Sequence, residues 1–300
     1  MILGIICGFF AAISQCVSYI FSKKYIHKDG NAFQLLIASH IIMGIFALIS
    51  LAVLLLENDL PPFKVYWFEL LKVNAFYMLA QMSFFMAISK TEASRVAPLL
   101  GLKVIFIALF GISFLNIELV LWQWVAVVIC FCGAVMSNWS GKSIPFPSVL
   151  YLLGAVVGYS LSDINIKLFI DCFEVQSGER AISILIAASL SYFYLGLFSL
   201  LIILFVRSVK IKHLKPALAF SCWWFVAMLF LFACFGFIGP LFGNIIQSTR
   251  GIIAVILGAI IAKFAWSEHE EKLSRSILIR RIASALLISC AIVIYVLAKK

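Results

Sequence analysis

The chain has 300 residues, 64% of them hydrophobic and 12% charged, with a mean hydropathy of +1.14. A soluble domain carries about twice that charged fraction, so a water-soluble globular protein is excluded, and long apolar runs mark helices that cross a lipid bilayer. The formal net charge of +10 does not indicate nucleic acid, because most lysines and arginines fall in short connections, where they set topology or meet anionic lipid.

Ten apolar spans follow one another, at 2–21, 33–56, 67–88, 94–115, 119–139, 147–170, 181–206, 217–238, 240–263 and 276–298. Met1 is followed directly by apolar residues, with no basic start and no small-residue cleavage pattern. The first span is therefore expected to be retained rather than removed as a secretory signal. It carries Gly4 and Gly8 four apart, then Ser14, Gln15, Ser18 and Tyr19 as two adjoining i, i+4 pairs. Polar side chains on such helices bond a neighbouring helix or line a cavity, and Gln15 is a candidate for the second role. His40, alone in the second span, is read as a packing histidine. On the third, Asn74 and Gln81 share a face through their i, i+7 spacing and are further candidates for cavity lining.

The fourth span holds Lys103 about nine residues after Ser94, roughly 13 Å along a helix and so near mid-membrane. A cation at that depth costs about 3 kcal/mol on the insertion scale, which marks a substrate contact, a counter-ion or a buried pair. The fifth span contains Cys130 and Cys132. These and the other six cysteines show no zinc or disulfide spacing and are read as inert packing thiols.

The stretch from Gly141 to Pro147 divides the chain into halves of five spans, residues 1–142 and 143–300. In the second half the opening span again carries two glycines four apart, Gly154 and Gly158, and the same register sets Asn165 opposite Gln15. Asp163 and Lys167 are four apart and are expected to pair with one another. Asp163 is the acid that lies well inside a span, which makes it the candidate for proton or cation coupling. Tyr192-Phe193-Tyr194 in the seventh span and Trp223-Trp224-Phe225, read as opening the eighth, are expected to be interfacial anchors or lipid-facing packing. The ninth span repeats the fourth: Arg250 follows Pro240 by about ten residues and stands eight before Gly258, as Lys103 stands eight before Gly111. Gly243, Asn244, Gln247 and Gly251 give this span a polar, close-approach face beside the guanidinium, whose planar fork suits a carboxylate or phosphate.

An odd number of spans per half makes the second half enter the membrane from the opposite side. The expected fold class is therefore an all-α membrane protein of ten transmembrane helices, built as two inverted five-helix repeats, an architecture associated with alternating access. Lysines and arginines number 15 in the odd-numbered connections against 5 in the even ones and the C-terminus, which by charge alone sets the odd loops in the cytoplasm and both termini outside.

Three groups of residues carry a family likeness. Thr91-Glu92-Ala93-Ser94-Arg95-Val96-Ala97 is similar to a Thr-x-Ala-Ser-x-Ala entry to a fourth helix. Glu118 with Gln123-Trp124 resembles a Glu-x(4)-Gln start to a fifth, and Glu268 is the counterpart in the second half. With the ten spans, the chain resembles the EamA-like branch of the drug/metabolite transporter superfamily. Where that family often has a proline in helices four and nine, this chain has Val104 and Gly251. The resemblance implies a multi-pass protein of a bacterial inner (plasma) membrane, acting as a secondary transporter of a small metabolite. Helices four and nine would line its central cavity. It also implies cytoplasmic termini, against the charge bias.

The leading expectation is a transporter that moves a small polar metabolite by alternating access, leaning to an anion or a zwitterion. Lys103, Arg250, Gln247, Asn244, Gln15, Asn74 and Gln81 are the candidate binding residues. The alternatives are a flippase for a lipid headgroup and a polytopic membrane enzyme, the latter resting on the Glu268-His269-Glu270-Glu271 cluster. No phosphate-binding Gly-Lys loop, His-Glu-x-x-His or Ser-His-Asp constellation is recognisable, so no enzyme, metal or cofactor is expected. The partners expected are a small-molecule substrate and the lipid bilayer, with the protein a monomer or homodimer.

Overall fold

The computed structural model describes residues 1–90, 100, 102–115, 118–138, 145–177, 179–206, 209–251, 253–254, 256–257 and 275–298. The Thr91–Ala97 motif, Gly258, the Glu268–Glu271 cluster and most of the linker between the halves lie outside these residues. Among the described residues there are ten α-helices and no strand. They are α1 (Ile2–Lys28), α2 (Ala32–Leu54), α3 (Phe63–Lys90), α4 (Lys103–Leu115), α5 (Leu121–Asn138), α6 (Phe146–Ser177), α7 (Arg180–Phe205), α8 (Leu214–Ile238), α9 (Pro240–Gln247) and α10 (Arg275–Ala298). After α9 the chain turns through Ser248 and Thr249 and is helical again at Arg250. Six of the helices, α1, α2, α3, α6, α7 and α8, are long and apolar enough to cross a membrane. The chain is a multi-pass integral membrane protein.

Local chemistry sets several boundaries. Asn31 and Gln34 form a reciprocal cap on α2: the Gln34 backbone N–H donates to Asn31 Oδ1 at 2.9 Å and that of Asn31 to Gln34 Oε1 at 3.0 Å. Gln123 caps α5, its Oε1 accepting from the Val120 backbone N–H at 3.1 Å, so this part of the family motif has a structural use here. Between α8 and α9 the backbone turns at Gly239, where φ is +83°, and Pro240 then starts α9 with its fixed φ. Buried serines at positions 18, 22, 39, 160 and 221 donate to carbonyls three or four residues earlier, which satisfies them where water is absent.

The principal packings join helices of the first half to helices of the second: α1 lies on α8, α3 on α6, α2 on α7 and α5 on α10. Glycines set the close approaches, as expected in lipid, where helices associate by packing rather than by expulsion of water. Gly4 and Gly8 of α1 face Ile238 and Cys234 of α8, while Gly158 of α6 faces Ala80 of α3. The closest crossing joins Gly44 of α2 to Gly196 of α7: a Cβ added to Gly44 would stand 2.8 Å from the Gly196 Cα, and the reverse distance is 2.7 Å.

One expected boundary shifts. α8 begins at Leu214 rather than 217, which carries Trp223, Trp224 and Phe225 toward the helix middle. Trp224, Phe225 and Tyr192 are buried, so the anchoring expected for them is corrected; Trp223 alone of the three at 223–225 is exposed, on the outer face. All eight cysteines are free, in keeping with packing thiols.

The glycine crossing yields a stability prediction. Gly44→Ala must push two backbones apart and is expected to destabilise by about 1–3 kcal/mol, read as a lower thermal midpoint in detergent. Gly154→Ala would meet mainly the Ser83 side chain, its Oγ at 3.3 Å, and is expected to change stability by no more than about 0.5 kcal/mol. Equal effects at the two positions would contradict the assignment of the α2–α7 crossing as a backbone contact.

Candidate functional site

A cavity of about 440 Å³, including its open mouth, lies at the centre of the bundle. It is narrow and lined by side chains of α1, α3, α4, α6, α7, α8 and the residue following the α9 turn. Lys103 and Arg250 both line it and are each 4% exposed, so two cations placed 147 residues apart in sequence are brought to one site.

The two cations are partnered differently. Lys103 Nζ donates to Asp163 Oδ2 at 2.6 Å, and Asn244 Nδ2 donates to the same oxygen at 2.9 Å. The ammonium also stands 5.3 Å from the centre of the Tyr159 ring, within reach of its π face. Arg250 reaches α1 instead. Its Nη1 donates to Gln15 Oε1 at 2.7 Å and to the Tyr19 hydroxyl at 3.3 Å, and its Nε donates to the Gln247 carbonyl at 2.9 Å. Among the described residues no carboxylate lies within ion-pair distance of Arg250, and its Nη2 meets no acceptor.

The buried charges of the site therefore sum to one positive: Lys103 and Asp163 offset each other and Arg250 is balanced by neutral dipoles. An amide oxygen, a phenol and a carbonyl hold a guanidinium in place without neutralising it. Such an arrangement attracts an anion into a region of low dielectric, where charge–charge attraction is strong.

The expected pairing of Asp163 with Lys167 is corrected. Lys167 sits one turn from both Asp163 and Asp171, and it bonds Asp171 at 2.6 Å, at the more exposed end of α6. Arg180 joins the same group, donating to Asp171 Oδ1 at 2.6 Å and, through Nε and Nη2, to the Gly236 carbonyl at 3.2 and 3.1 Å. Asp163, deeper in the helix, faces the cavity and takes its partner from α4. A sequence contains the i, i+4 choices; only packing decides between them and a partner 60 residues away.

Of the candidate binding residues, Lys103, Arg250 and Gln15 line the cavity. Asn244 stands behind it, bonded to Asp163 and to the Pro240 carbonyl. Gln247 Nε2 donates to the Gly8 carbonyl at 2.8 Å and ties α9 to α1. Asn74 exchanges bonds with Ser191, its Nδ2 donating to the Ser191 carbonyl at 3.2 Å while the Ser191 hydroxyl donates to Asn74 Oδ1 at 2.6 Å. Gln81 accepts from the Tyr159 hydroxyl. Asn165, the register counterpart of Gln15, bonds the Leu161 carbonyl of its own helix at 2.7 Å and is not among the lining residues.

Sequence reasoning missed most of the wall. Tyr77, Tyr159, Tyr192 and Trp224 line the cavity beside Tyr19, with Phe232 completing the apolar side. Trp224 Nε1 donates to the Tyr77 hydroxyl at 2.6 Å, and the Tyr77 and Tyr192 rings meet edge to face at 5.9 Å. A signal for two of them existed: Tyr159 is four residues before Asp163, and Tyr77 four before Gln81, so each shares a face with a residue already singled out. His40 packs behind this wall, 5.5 Å from the Tyr77 ring, its Nδ1–H donating to the Leu36 carbonyl at 2.6 Å. Its Nε2 is buried and has no hydrogen bond among the described residues, so the packing reading holds for one ring nitrogen.

A polytopic helical bundle with a polar cavity deep between its helices, reached by charged and amide side chains, belongs to the architecture of membrane transporters. Residues 2–139 match the model of the EamA-like transporter family, a branch of the drug/metabolite transporter superfamily, so the first half of the chain is similar to that family. Twenty-eight chains of solved structures also match. One of them, described as "Crystal structure of protein", superposes with a TM-score of 0.65 at 14% identity, over 99% of this chain and 97% of its own length, a likeness of fold alone. No curated protein matches the chain.

The ion pair gives a second prediction. Asp163→Asn strands the Lys103 ammonium in the core and is expected to cost about 3–5 kcal/mol of stability. Lys103→Met combined with Asp163→Asn removes both charges at similar volume and is expected to recover most of that loss in thermal unfolding of the purified protein. A double variant as unstable as the single one would show that the two side chains do not depend on each other.

Proposed function

We propose that the protein is a secondary transporter that carries a small anionic metabolite by alternating access, with Arg250 as the group that binds the anion. One observation carries this reading: a deeply buried guanidinium lines the central cavity with only neutral partners among the described residues. Gln15 and Tyr19 orient the fork, and Gln247, bonded to the Gly8 carbonyl, fixes the turn that presents it.

The architecture in this proposal is two inverted five-helix repeats, residues 1–142 and 143–300. The pairing pattern supports it. Exchanging each helix for the one five places on converts the α1–α8 contact into α6–α3 and leaves α2–α7, α5–α10 and α4–α9 unchanged. The cations obey the same exchange: Lys103 of α4 reaches α6, which opens the second half, and Arg250 reaches α1, which opens the first. The site departs from the exchange in one chemical respect, since Asp163 meets one cation where Gln15 meets the other.

Mechanism follows from this asymmetry. The narrow cavity accommodates a ligand of more than a few atoms only if its walls part. An anion on Arg250 supplies the missing negative charge, so the halves close over a neutral site rather than over a buried cation. Asp163 is the coupling group: a proton taken by its carboxylate would weaken its hold on Lys103 and change the charge of the cavity. A bacterial inner membrane as the place of action belongs to this proposal as well.

Counterflow in proteoliposomes, screened over a panel of metabolites, tests the reading. Arg250→Gln is expected to reduce exchange of the accepted anion by at least about tenfold, the loss of one charge-assisted contact. Unchanged exchange in that variant would remove Arg250 from the site. The Lys103→Met, Asp163→Asn double variant keeps Arg250 and is expected to retain counterflow while losing the response to an imposed pH gradient. A full response to the gradient would rule out Asp163 as the coupling group.

A further inference from the structure

The cavity joins two kinds of chemistry. Arg250 offers charge, with N–H groups that meet no acceptor among the described residues. Around it the lining is rich in aromatic rings, Tyr19, Tyr77, Tyr159, Tyr192, Trp224 and Phe232, with aliphatic side chains among them. Two of their polar groups are used within the wall. The Trp224 N–H is given to the Tyr77 hydroxyl at 2.6 Å, and the Tyr159 hydroxyl is given to Gln81. The rings consequently present faces, not free donors. A polyol or sugar placed there would lose its hydrogen bonds to water without replacement, which disfavours it.

Shape acts in the same direction. The space is narrow, and a flat ring enters it with less displacement of the walls than a branched or rounded body. The rings are also held: Trp224 stacks on Phe220 at 5.6 Å and 20°, and Tyr192 meets Phe225 edge to face at 5.7 Å. Preorganised faces lose little freedom when a ligand ring stacks on them.

Charge decides between an acid and a zwitterion. Lys103 and Asp163 already offset each other, with both of the carboxylate's described bonds on Oδ2, so one uncompensated positive charge remains on Arg250. A monoanion neutralises it, whereas a zwitterion or a cation does not. We infer that the cargo is an aromatic monocarboxylate, its acid group on Arg250 and its ring between Trp224, Tyr77 and Tyr192. This inference rests on Arg250 as the anion-binding group and adds to it the body of the ligand.

Full-length protein in proteoliposomes tests it, with phenylacetate, indole-3-acetate, acetate, phenylalanine and phenethylamine as counterflow probes. The two aryl acids are expected to exchange at concentrations up to about tenfold below acetate, and ahead of phenylalanine and phenethylamine, the stacking of one ring being worth up to about that factor. Trp224→Leu is expected to raise the concentrations needed for the aryl acids and to leave acetate where it was. The ranking on the unaltered protein decides the matter even where that variant does not fold. No exchange of either aryl acid, equal exchange of acetate, or preference for phenylalanine or phenethylamine overturns the aromatic cargo. An accepted non-aromatic anion that still requires Arg250 would leave the anion-transport reading standing. Aryl acids carried equally well by Arg250→Gln would remove both.

Discussion

The contact between Lys103 Nζ and Asp163 Oδ2 at 2.6 Å joins two charges that the membrane interior would otherwise exclude, and it leaves Arg250 as the remaining buried cation of the site. Each of the three groups would be costly alone in lipid. Together they are held because three helices contribute a dipole or a ring to them: the Gln15 amide and Tyr19 phenol from α1, the Asn244 amide from α9, the Tyr159 face from α6. The bundle is thus organised around a site that is one negative charge short. Supplying that charge from outside is the simplest way for a ligand to stabilise one arrangement of the helices over another, because only a differential interaction shifts such an equilibrium.

Outside the aromatic wall, small residues set the closest helix crossings. Gly44 against Gly196, Gly8 against Cys234 and Gly158 against Ala80 bring backbones together where a methyl group would hold them apart. These contacts join one half of the chain to the other rather than helices within a half. Polar bonds also cross between the halves, among them Gln247 to the Gly8 carbonyl, Asn74 to Ser191, Tyr159 to Gln81 and Trp224 to Tyr77, and they tie the glycine crossings to the cavity wall.

Much of this was legible in the sequence, and the reason is the strength of the signal. A lysine or arginine inside an apolar run is so costly that it is expected to be paired or to face a polar space, and both of these cations line one cavity. Six of the ten spans expected from hydropathy are long apolar helices among the described residues. What could not be read was pairing at long range: Asp163 had a cation four residues away on its own helix, and nothing local shows that Lys103, 60 residues off, would take it. Aromatic residues were the other gap. Tryptophan and tyrosine in a hydrophobic chain mark an interface or a cavity wall with the same letters, and the distinction turned on α8 starting at Leu214, which moved Trp224 from a helix end toward the interior.

The two acceptors of the buried cations, Gln15 and Asp163, differ in charge, and that difference decides the balance of the site. Gln15 receives Arg250, just past the α9 turn, and Asp163 receives Lys103 of α4, each through an oxygen at hydrogen-bond distance, 2.7 Å in one case and 2.6 Å in the other. Geometry is therefore nearly the same at the two places, and charge is not. Had the position of Gln15 held an acid, both cations would be neutralised internally and the cavity would carry no net attraction for an anion. Had Asp163 been an amide, two free positive charges would stand close together, a state that repels itself and demands a dianion. A single acid among two cations gives the intermediate case, in which one positive charge remains in the site and is held by neutral dipoles.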